Sequence, residues 1–235
     1  DTVSFNLRGC SGEDNLLLPT YHSGKTEDLD FVISYLIENY FYDKIMVVGY
    51  SLGGNITLKY FGEHVKTISD KVSCGVAISV PVDLASSSRT MGTSKNKIYM
   101  YKFLRSLRKK ILIKTQKYPD YKLDIKKLLK SKTFKEFDGL YTAPVSGFSG
   151  PEDYWEKASS KPYLTSIKKP VLLITSSDDP FLAEECYPFK EAEESNYFYL
   201  EVTKYGGHVG FISSLFSKKN RWLENRILQF IKDNG

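Results

Sequence analysis

Cysteine is scarce in this chain of 235 residues: three in all, Cys10, Cys74 and Cys186, far apart and odd in number. That usage argues against a disulfide framework and fits reduced thiols in a reducing compartment. Histidine is as scarce. His22, His64 and His208 are scattered, and neither they nor the cysteines fall into a metal-ligand spacing, so no metal is expected. No apolar run approaches the roughly 18 residues that would span a bilayer. The opening residues Asp1-Thr2-Val3-Ser4 lack both the basic and the apolar stretch of a secretory leader, which makes a cytoplasmic location the expectation. There are no internal repeats and no low-complexity tracts. What remains is an ordinary globular composition, 41% hydrophobic and 26% charged, at a length that suits one large α/β domain or a core with a lid.

Apolar residues at Leu29, Val32, Ile33, Leu36, Ile37 and Tyr40 keep the helical period, with Thr26 in the position of an N-cap and Glu27 and Asp28 in the first turn. Residues 45–48 form a short continuous apolar run, the pattern of a buried parallel strand. Helical periodicity resumes directly after Ser51. Further buried strands are expected at 72–80, at 171–174 behind Pro170, and at 197–202, with a closing helix marked by Trp222, Ile227, Leu228 and Ile231. Strands alternating with helices indicate a mostly parallel, doubly wound sheet. Between residues 81 and 169 the rhythm stops, and the stretch reads as helices and loops. The expected organisation is a core of 1–80 and 170–235 with a helical lid at 81–169.

Gly49-Tyr50-Ser51-Leu52-Gly53-Gly54 fits Gly-x-Ser-x-Gly, and its setting between an apolar strand and an amphipathic helix gives the motif its weight. A nucleophile on a sharp strand-to-helix turn sits in a strained backbone, and the residues two before and two after it are expected to be small. The turn lifts the Ser51 hydroxyl clear of the sheet and points the Leu52 amide, near the positive end of the following helix, at a developing oxyanion.

A serine hydroxyl needs a base. His208 lies in the glycine-rich loop Tyr205-Gly206-Gly207-His208-Val209-Gly210, just after the last strand, and is the preferred base. His64 ends the helix behind Ser51 and His22 lies in a polar loop, so both read as surface residues. The acid that orients the imidazole is expected from Asp178-Asp179-Pro180, after the strand at 171–174. Asp179 is preferred, with Asp178 and Asp83 as rivals. The order Ser, Asp, His and the placement of all three beyond the carboxyl ends of parallel strands agree with this assignment.

Charge is uneven. Residues 95–135 hold 15 Lys and Arg against Asp120 and Asp124, a net +13, which leaves −8 on the rest of the chain. Within this block Ile98, Tyr101, Leu104, Leu107, Ile111 and Leu112 recur near helical spacing, with Arg105, Lys109 and Lys110 between them. The preferred reading is a helix packed on the core with a solvated basic face. The alternative is an interfacial helix that meets anionic lipid in a peripheral membrane contact. No nucleic-acid motif accompanies the charge, so nucleic acid is not an expected partner. Phe137, Phe148, Tyr154 and Trp155 could line an acyl pocket or simply pack a core.

Several segments together resemble the YheT-like hydrolases, related to the ABHD1/2/3 branch of the α/β-hydrolases. They are Asn6-Leu7-Arg8-Gly9-Cys10-Ser11-Gly12-Glu13, Tyr21-His22-Ser23-Gly24-Lys25-Thr26-Glu27-Asp28, the run from Gly49 to Asn55, Glu136-Phe137-Asp138 with Thr142-Ala143-Pro144, Gly147-Phe148, Asp153-Tyr154 with Ala158-Ser159-Ser160, Asp178-Asp179-Pro180-Phe181, Gly206-Gly207-His208-Val209-Gly210-Phe211 and Trp222-Leu223-Glu224. The resemblance implies an α/β-hydrolase fold, a Ser51, Asp179 and His208 triad, and esterase- or lipase-like action on small acyl esters with no cofactor. It also implies further strands ahead of a strand at 2–6, a His-Gly loop supplying a second oxyanion amide, and one strand between 2–6 and 45–49, none of which this sequence contains. The expectation is a chain short of about two or three strand–helix units, roughly 60–90 residues. With one oxyanion donor missing, turnover would fall about 10²–10³-fold. The reading is thus a serine esterase, impaired in this form, with acyl transfer to an alcohol and a non-catalytic lipid- or protein-binding module as rivals.

Overall fold

The computed structural model describes residues 1–212 and 221–235. In chain order its elements are α1 (Thr26–Asn39), β1 (Ile45–Tyr50), α2 (Leu52–Glu63), β2 (Val72–Ile78), α3 (Leu84–Met91), α4 (Lys97–Lys117), α5 (Ile125–Lys130), α6 (Phe134–Phe137), α7 (Ala143–Val145), α8 (Pro151–Ala158), β3 (Val171–Ser176), α9 (Phe189–Glu193), β4 (Phe198–Thr203) and α10 (Trp222–Asn234). They form two compact units, one of Asp1–His22 and Leu84–Ala158, the other of Ser23–Asp83 and Ser159–Gly235. Residues 1–22 therefore group with the helical segment, whereas the sequence reading drew them with the sheet.

All four strands lie in the second unit, parallel and in the order β1-β2-β3-β4. Gly49, Ala77, Leu173 and Leu200 align across the sheet. The period of two along β2 decides what covers each face. Cys74, Val76 and Ile78 pack with Leu172, Ile174, Leu223, Ile227 and Phe230 beneath α10. Gly75 and Ala77 face the other way, toward α2, where a Cβ on Gly75 would come within 2.7 Å of the Phe61 ring. Small residues on that face let α2 approach closely. Each fully buried aliphatic side chain here contributes about 1.5–3 kcal/mol.

Three expectations change. Residues 2–6 form no strand. Strand β1 is buried on one face only: Val47 and Gly49 point inward while Met46, Val48 and Tyr50 are exposed. Among the described strands it also lies at one edge of the sheet, and its apolar run is not that of a strand covered on both sides. Thr26 is not the N-cap of α1, which is Lys25. The Thr26 hydroxyl instead donates to Glu63 Oε2 at 2.6 Å, and Glu63 also accepts from the buried Lys59 at 2.7 Å. Burial by itself pushes the Glu63 carboxyl up, but these two donors outweigh it and hold it below its ordinary range.

In the first unit, Leu84, Ala143, Tyr154, Trp155 and Ala158 form a core on which Phe148 packs, and Phe137 is buried as well. The aromatics considered for an acyl pocket are packing residues of this unit. Lys114 is buried on α4; it donates to Asn15 O at 2.6 Å and pairs with Asp14 at 3.1 Å. Among the described residues, no helix is long and apolar enough to cross a membrane.

Asp138 in this unit is a buried carboxylate whose two oxygens accept from the Thr142 hydroxyl at 2.7 Å and from Trp155 Nε1 at 2.9 Å. Burial pushes its carboxyl up to about 6, against the pull of those two donors. A folded-state pKa above the unfolded one favours the native state below the unfolded value, and that benefit disappears as pH rises through the folded one. Asp138→Asn should therefore gain stability relative to wild type between about pH 4 and pH 7, by about 3 kcal/mol at most. The introduced amide keeps an oxygen for Trp155, and the Thr142 hydroxyl can turn to accept from its NH₂. Urea midpoints across that range test it; parallel curves for the two proteins would refute it.

Candidate active site

The chain turns at Ser51, between β1 and α2, with φ 50° and ψ −117°. A serine at positive φ is strained and persists only where its surroundings fix it. Two backbone bonds do so: Ser51 N–H donates to Ile78 O at 2.8 Å, and Ser51 O accepts from Asn55 N–H at 3.0 Å. The crowding around this turn differs from the expectation. A Cβ on Gly49 would sit 2.4 Å from Gly53 O, and one on Gly54 2.5 Å from Val80 Cγ2, whereas one on Gly53 would meet nothing within 4 Å. The packing requires smallness at Gly49 and Gly54.

Leu52 opens α2, so its N–H belongs to the first turn, where amides have no acceptor within the helix. Asn55, one turn further, is fully buried. Its side-chain amide donates to Ser23 O at 2.8 Å, and its oxygen accepts from Ser160 N–H at 2.9 Å.

His208 follows β4, and the structure brings it between Ser51 and Asp179. Nε2 lies 2.9 Å from Ser51 Oγ and Nδ1 lies 2.7 Å from Asp179 Oδ2. An ionised carboxylate only accepts, so Nδ1 carries the proton and Nε2 is left to accept from the serine hydroxyl. The Asp179 side chain is fully buried. Its other oxygen accepts from Phe181 N–H at 2.9 Å, which fixes the carboxylate plane. The Phe181 ring also packs on the imidazole, 4.5 Å between centroids.

Asp178 has a different partner from its neighbour. Its Oδ1 accepts from Gly206 N–H at 2.9 Å and Gly207 N–H at 2.8 Å, while Ser176 Oγ donates to Gly207 O at 2.7 Å. The end of β3 thus grips the histidine loop by its backbone. Burial alone would raise the Asp178 carboxyl, but Gly207 N–H, Ser176 and Gly206 N–H together hold it below the usual range. Tyr187 donates to Ser176 O at 2.8 Å; burial, with the nearby Asp179, raises its hydroxyl to about 12 and keeps it a donor. Asp178 could have been suspected from the acidic doublet. Nothing in the sequence pointed to Phe181 as a ring packed on His208, or to Tyr187.

The other candidates lie elsewhere. Asp83 offers its backbone carbonyl to Cys186 Sγ at 3.5 Å. His64 caps α2 and is half-buried: its ring lies tilted against Tyr60, 4.9 Å between centroids, and 3.9 Å from Asp30. His22 belongs to the first unit, edge-on to Phe148 and Tyr154 at 5.5 and 5.9 Å. Two aromatic rings flank His22, whereas Tyr60 together with the polar side chains of Thr26, Thr67 and Asp30 surrounds His64, where a polar loop and a helix end had suggested solvent.

Residues 1–214 match the family model described as the alpha/beta hydrolase fold. YheT of Escherichia coli is 33% identical over 226 residues, which cover 96% of this chain and 66% of that protein. Phospholipase ABHD3 of Homo sapiens is 30% identical over 233 residues, covering 98% of this chain and 56% of that protein. The chain therefore spans between about half and two thirds of the length of these relatives. Among solved structures, the Pyrococcus furiosus esterase Pf2001 overlays with a TM-score of 0.56 at 20% identity, covering 98% of this chain and 70% of that one, a likeness of fold. The resemblance read from the sequence motifs agrees with these relatives, and the chain belongs to the α/β-hydrolase family.

Proposed function

We propose that this chain is a serine hydrolase of carboxylic acyl esters, with Ser51 as nucleophile, His208 as general base and then general acid, and Asp179 as the group that orients the imidazole. His208 Nε2 takes the Ser51 proton as Oγ attacks the acyl carbonyl. The Leu52 N–H stabilises the oxyanion of the tetrahedral intermediate. Collapse expels the alcohol, which takes its proton from His208, and leaves Ser51 acylated. Water then attacks, His208 again accepts the proton, and the carboxylic acid leaves. A positioned general base is worth about 10²–10⁴-fold, and one oxyanion donor about 10²–10³-fold. No step calls for a cofactor. Three free cysteines suit a cytoplasmic setting. The name of ABHD3 makes glycerophospholipids one ester class to try.

The observation that carries the reading is the unbroken relay from Asp179 Oδ2 through His208 to Ser51 Oγ, with links of 2.7 and 2.9 Å. Fluorophosphonate labelling followed by intact mass tests it, with Ser51→Ala as the blank. One adduct, absent from the blank, is expected, and an acyl-ester chain-length panel would follow. A folded wild-type protein that takes no adduct would overturn the reading for this chain.

A further inference from the structure

We propose that α4 docks this protein on an anionic phospholipid bilayer through its outward face. The inference stands apart from the ester-cleaving reading and uses none of its residues. Helix α4 runs for 21 residues and contains no acidic residue. Its buried positions Met100, Leu104, Ile111 and Lys114, with Leu107 half-buried, recur at alternating steps of four and three and define the inward face. The opposite face carries Ile98, Tyr101 and Leu112, exposed to 71%, 60% and 42%. Lys102, Arg105 and Lys109 lie among them, also exposed. The two readings of this helix are therefore compatible, because it packs with one face and presents a second amphipathic face outward.

The use of the cations separates the two faces. Lys114 and Lys117 pair with Asp14, both at 3.1 Å. Arg108 donates to the Ser131 carbonyl. Lys110 lies 2.8 Å from Cys10 Sγ and over the Tyr21 ring. Among the described residues, Lys102, Arg105 and Lys109 have no acidic partner. Three unmatched cations interleaved with three exposed apolar side chains fit the headgroup boundary of a bilayer. Aliphatic groups enter the acyl region there, a tyrosine ring sits at the interface, and Lys and Arg reach the phosphates with their stems on apolar surface. The surrounding segment carries net +13, complementary to anionic lipid. A nucleic-acid surface would supply the cations with no use for exposed isoleucine and leucine.

Co-sedimentation with vesicles tests the proposal on the whole chain, using phosphatidylcholine alone and an equimolar mixture with phosphatidylglycerol. Two variants are compared, Lys102→Glu/Arg105→Glu/Lys109→Glu and Ile98→Ser/Tyr101→Ser/Leu112→Ser, with thermal midpoints confirming that both fold. Wild type should sediment with the mixed vesicles only. Each Lys or Arg at an anionic surface is worth about five-fold in partition, so the charge variant should lose about a hundred-fold. The apolar variant should lose about ten-fold or more. Fluorophosphonate labelling of Ser51 should survive in both, so failure here is distinct from failure of the ester reading. The proposal is overturned by wild-type protein that ignores mixed vesicles, by variants that bind like wild type, or by loss in the charge variant alone, which would indicate adsorption without insertion.

Discussion

Asp179→Asn should slow reaction at Ser51 by about 10⁴-fold while leaving the protein folded. The expectation follows from the geometry of the carboxylate. Oδ2 receives the His208 Nδ1 proton, and Oδ1 is engaged by Phe181 N–H. An amide at this position has one acceptor and one donor. With its oxygen kept on Phe181 N–H, its NH₂ faces Nδ1 and stabilises the tautomer protonated on Nε2. That tautomer donates toward Ser51 Oγ and cannot take its proton. With the amide flipped, the NH₂ opposes the Phe181 N–H, a buried donor–donor clash that costs about 1–3 kcal/mol. The flipped orientation alone leaves Nε2 free as a base, at that cost and without the negative charge that stabilises the imidazolium. The second-order rate of fluorophosphonate labelling reads the effect directly. A drop of ten-fold or less in a folded protein would remove Asp179 from its proposed role.

Asp178→Ala is the matched comparison. It deletes an adjacent carboxylate that accepts from the Gly206 and Gly207 amides and does not touch the imidazole contact. Asp178 is exposed, so water can replace it on those amides. The loss is then one of placement, at most about 10²-fold, with the pH profile of labelling keeping its shape. Equal damage from the two substitutions would mean that the loop grip, and not the imidazole contact, sets the rate.

The difference between these two aspartates marks how far the sequence could be read. Both sit in one turn after one strand, and no periodicity distinguishes neighbours there; the direction each side chain takes depends on the β4–His208 loop, a contact between segments far apart in sequence. The positions of Ser51 and His208 were easier, because each lies in a distinctive glycine-containing segment directly after a strand. Strands β2 and β3 were equally plain. Strand β1 was misread because an apolar run does not report how many faces are covered. Helix α4 carries large apolar residues on two faces, so its sequence could not say that Leu104 and Ile111 turn inward while Ile98, Tyr101 and Leu112 do not. Thr26 has the residue type of an N-cap, but an acceptor 37 positions away took its hydroxyl.

The elbow glycines provide the last expectation, a pair of substitutions with opposite signs. Gly49 is held in β1 opposite Ala77, and α2 begins three residues later. An added Cβ would lie 2.4 Å from Gly53 O, 2.5 Å from Thr57 Oγ1 and 2.6 Å from Gly53 C. Two of these atoms are backbone, so relief requires the first turn of α2 to move away from the strand. Gly49→Ala should cost about 3 kcal/mol or more, at or beyond the upper end of ordinary overpacking, and should also slow labelling, since the same turn carries Ser51. The double variant Gly49→Ala/Thr57→Ala should recover little, because the Gly53 carbonyl remains in the way; full recovery would show that the clash lies with a side chain. Gly53 is also glycine but lies inside α2, where a Cβ meets nothing within 4 Å. Gly53→Ala should therefore stabilise by about 0.5–1 kcal/mol through the loss of backbone freedom in the unfolded chain. Urea midpoints of the two single variants decide the matter. Similar destabilisation by both would mean that the turn tolerates no side chain on either side of Ser51, as the motif alone had suggested, and that the space beside Gly53 is already in use.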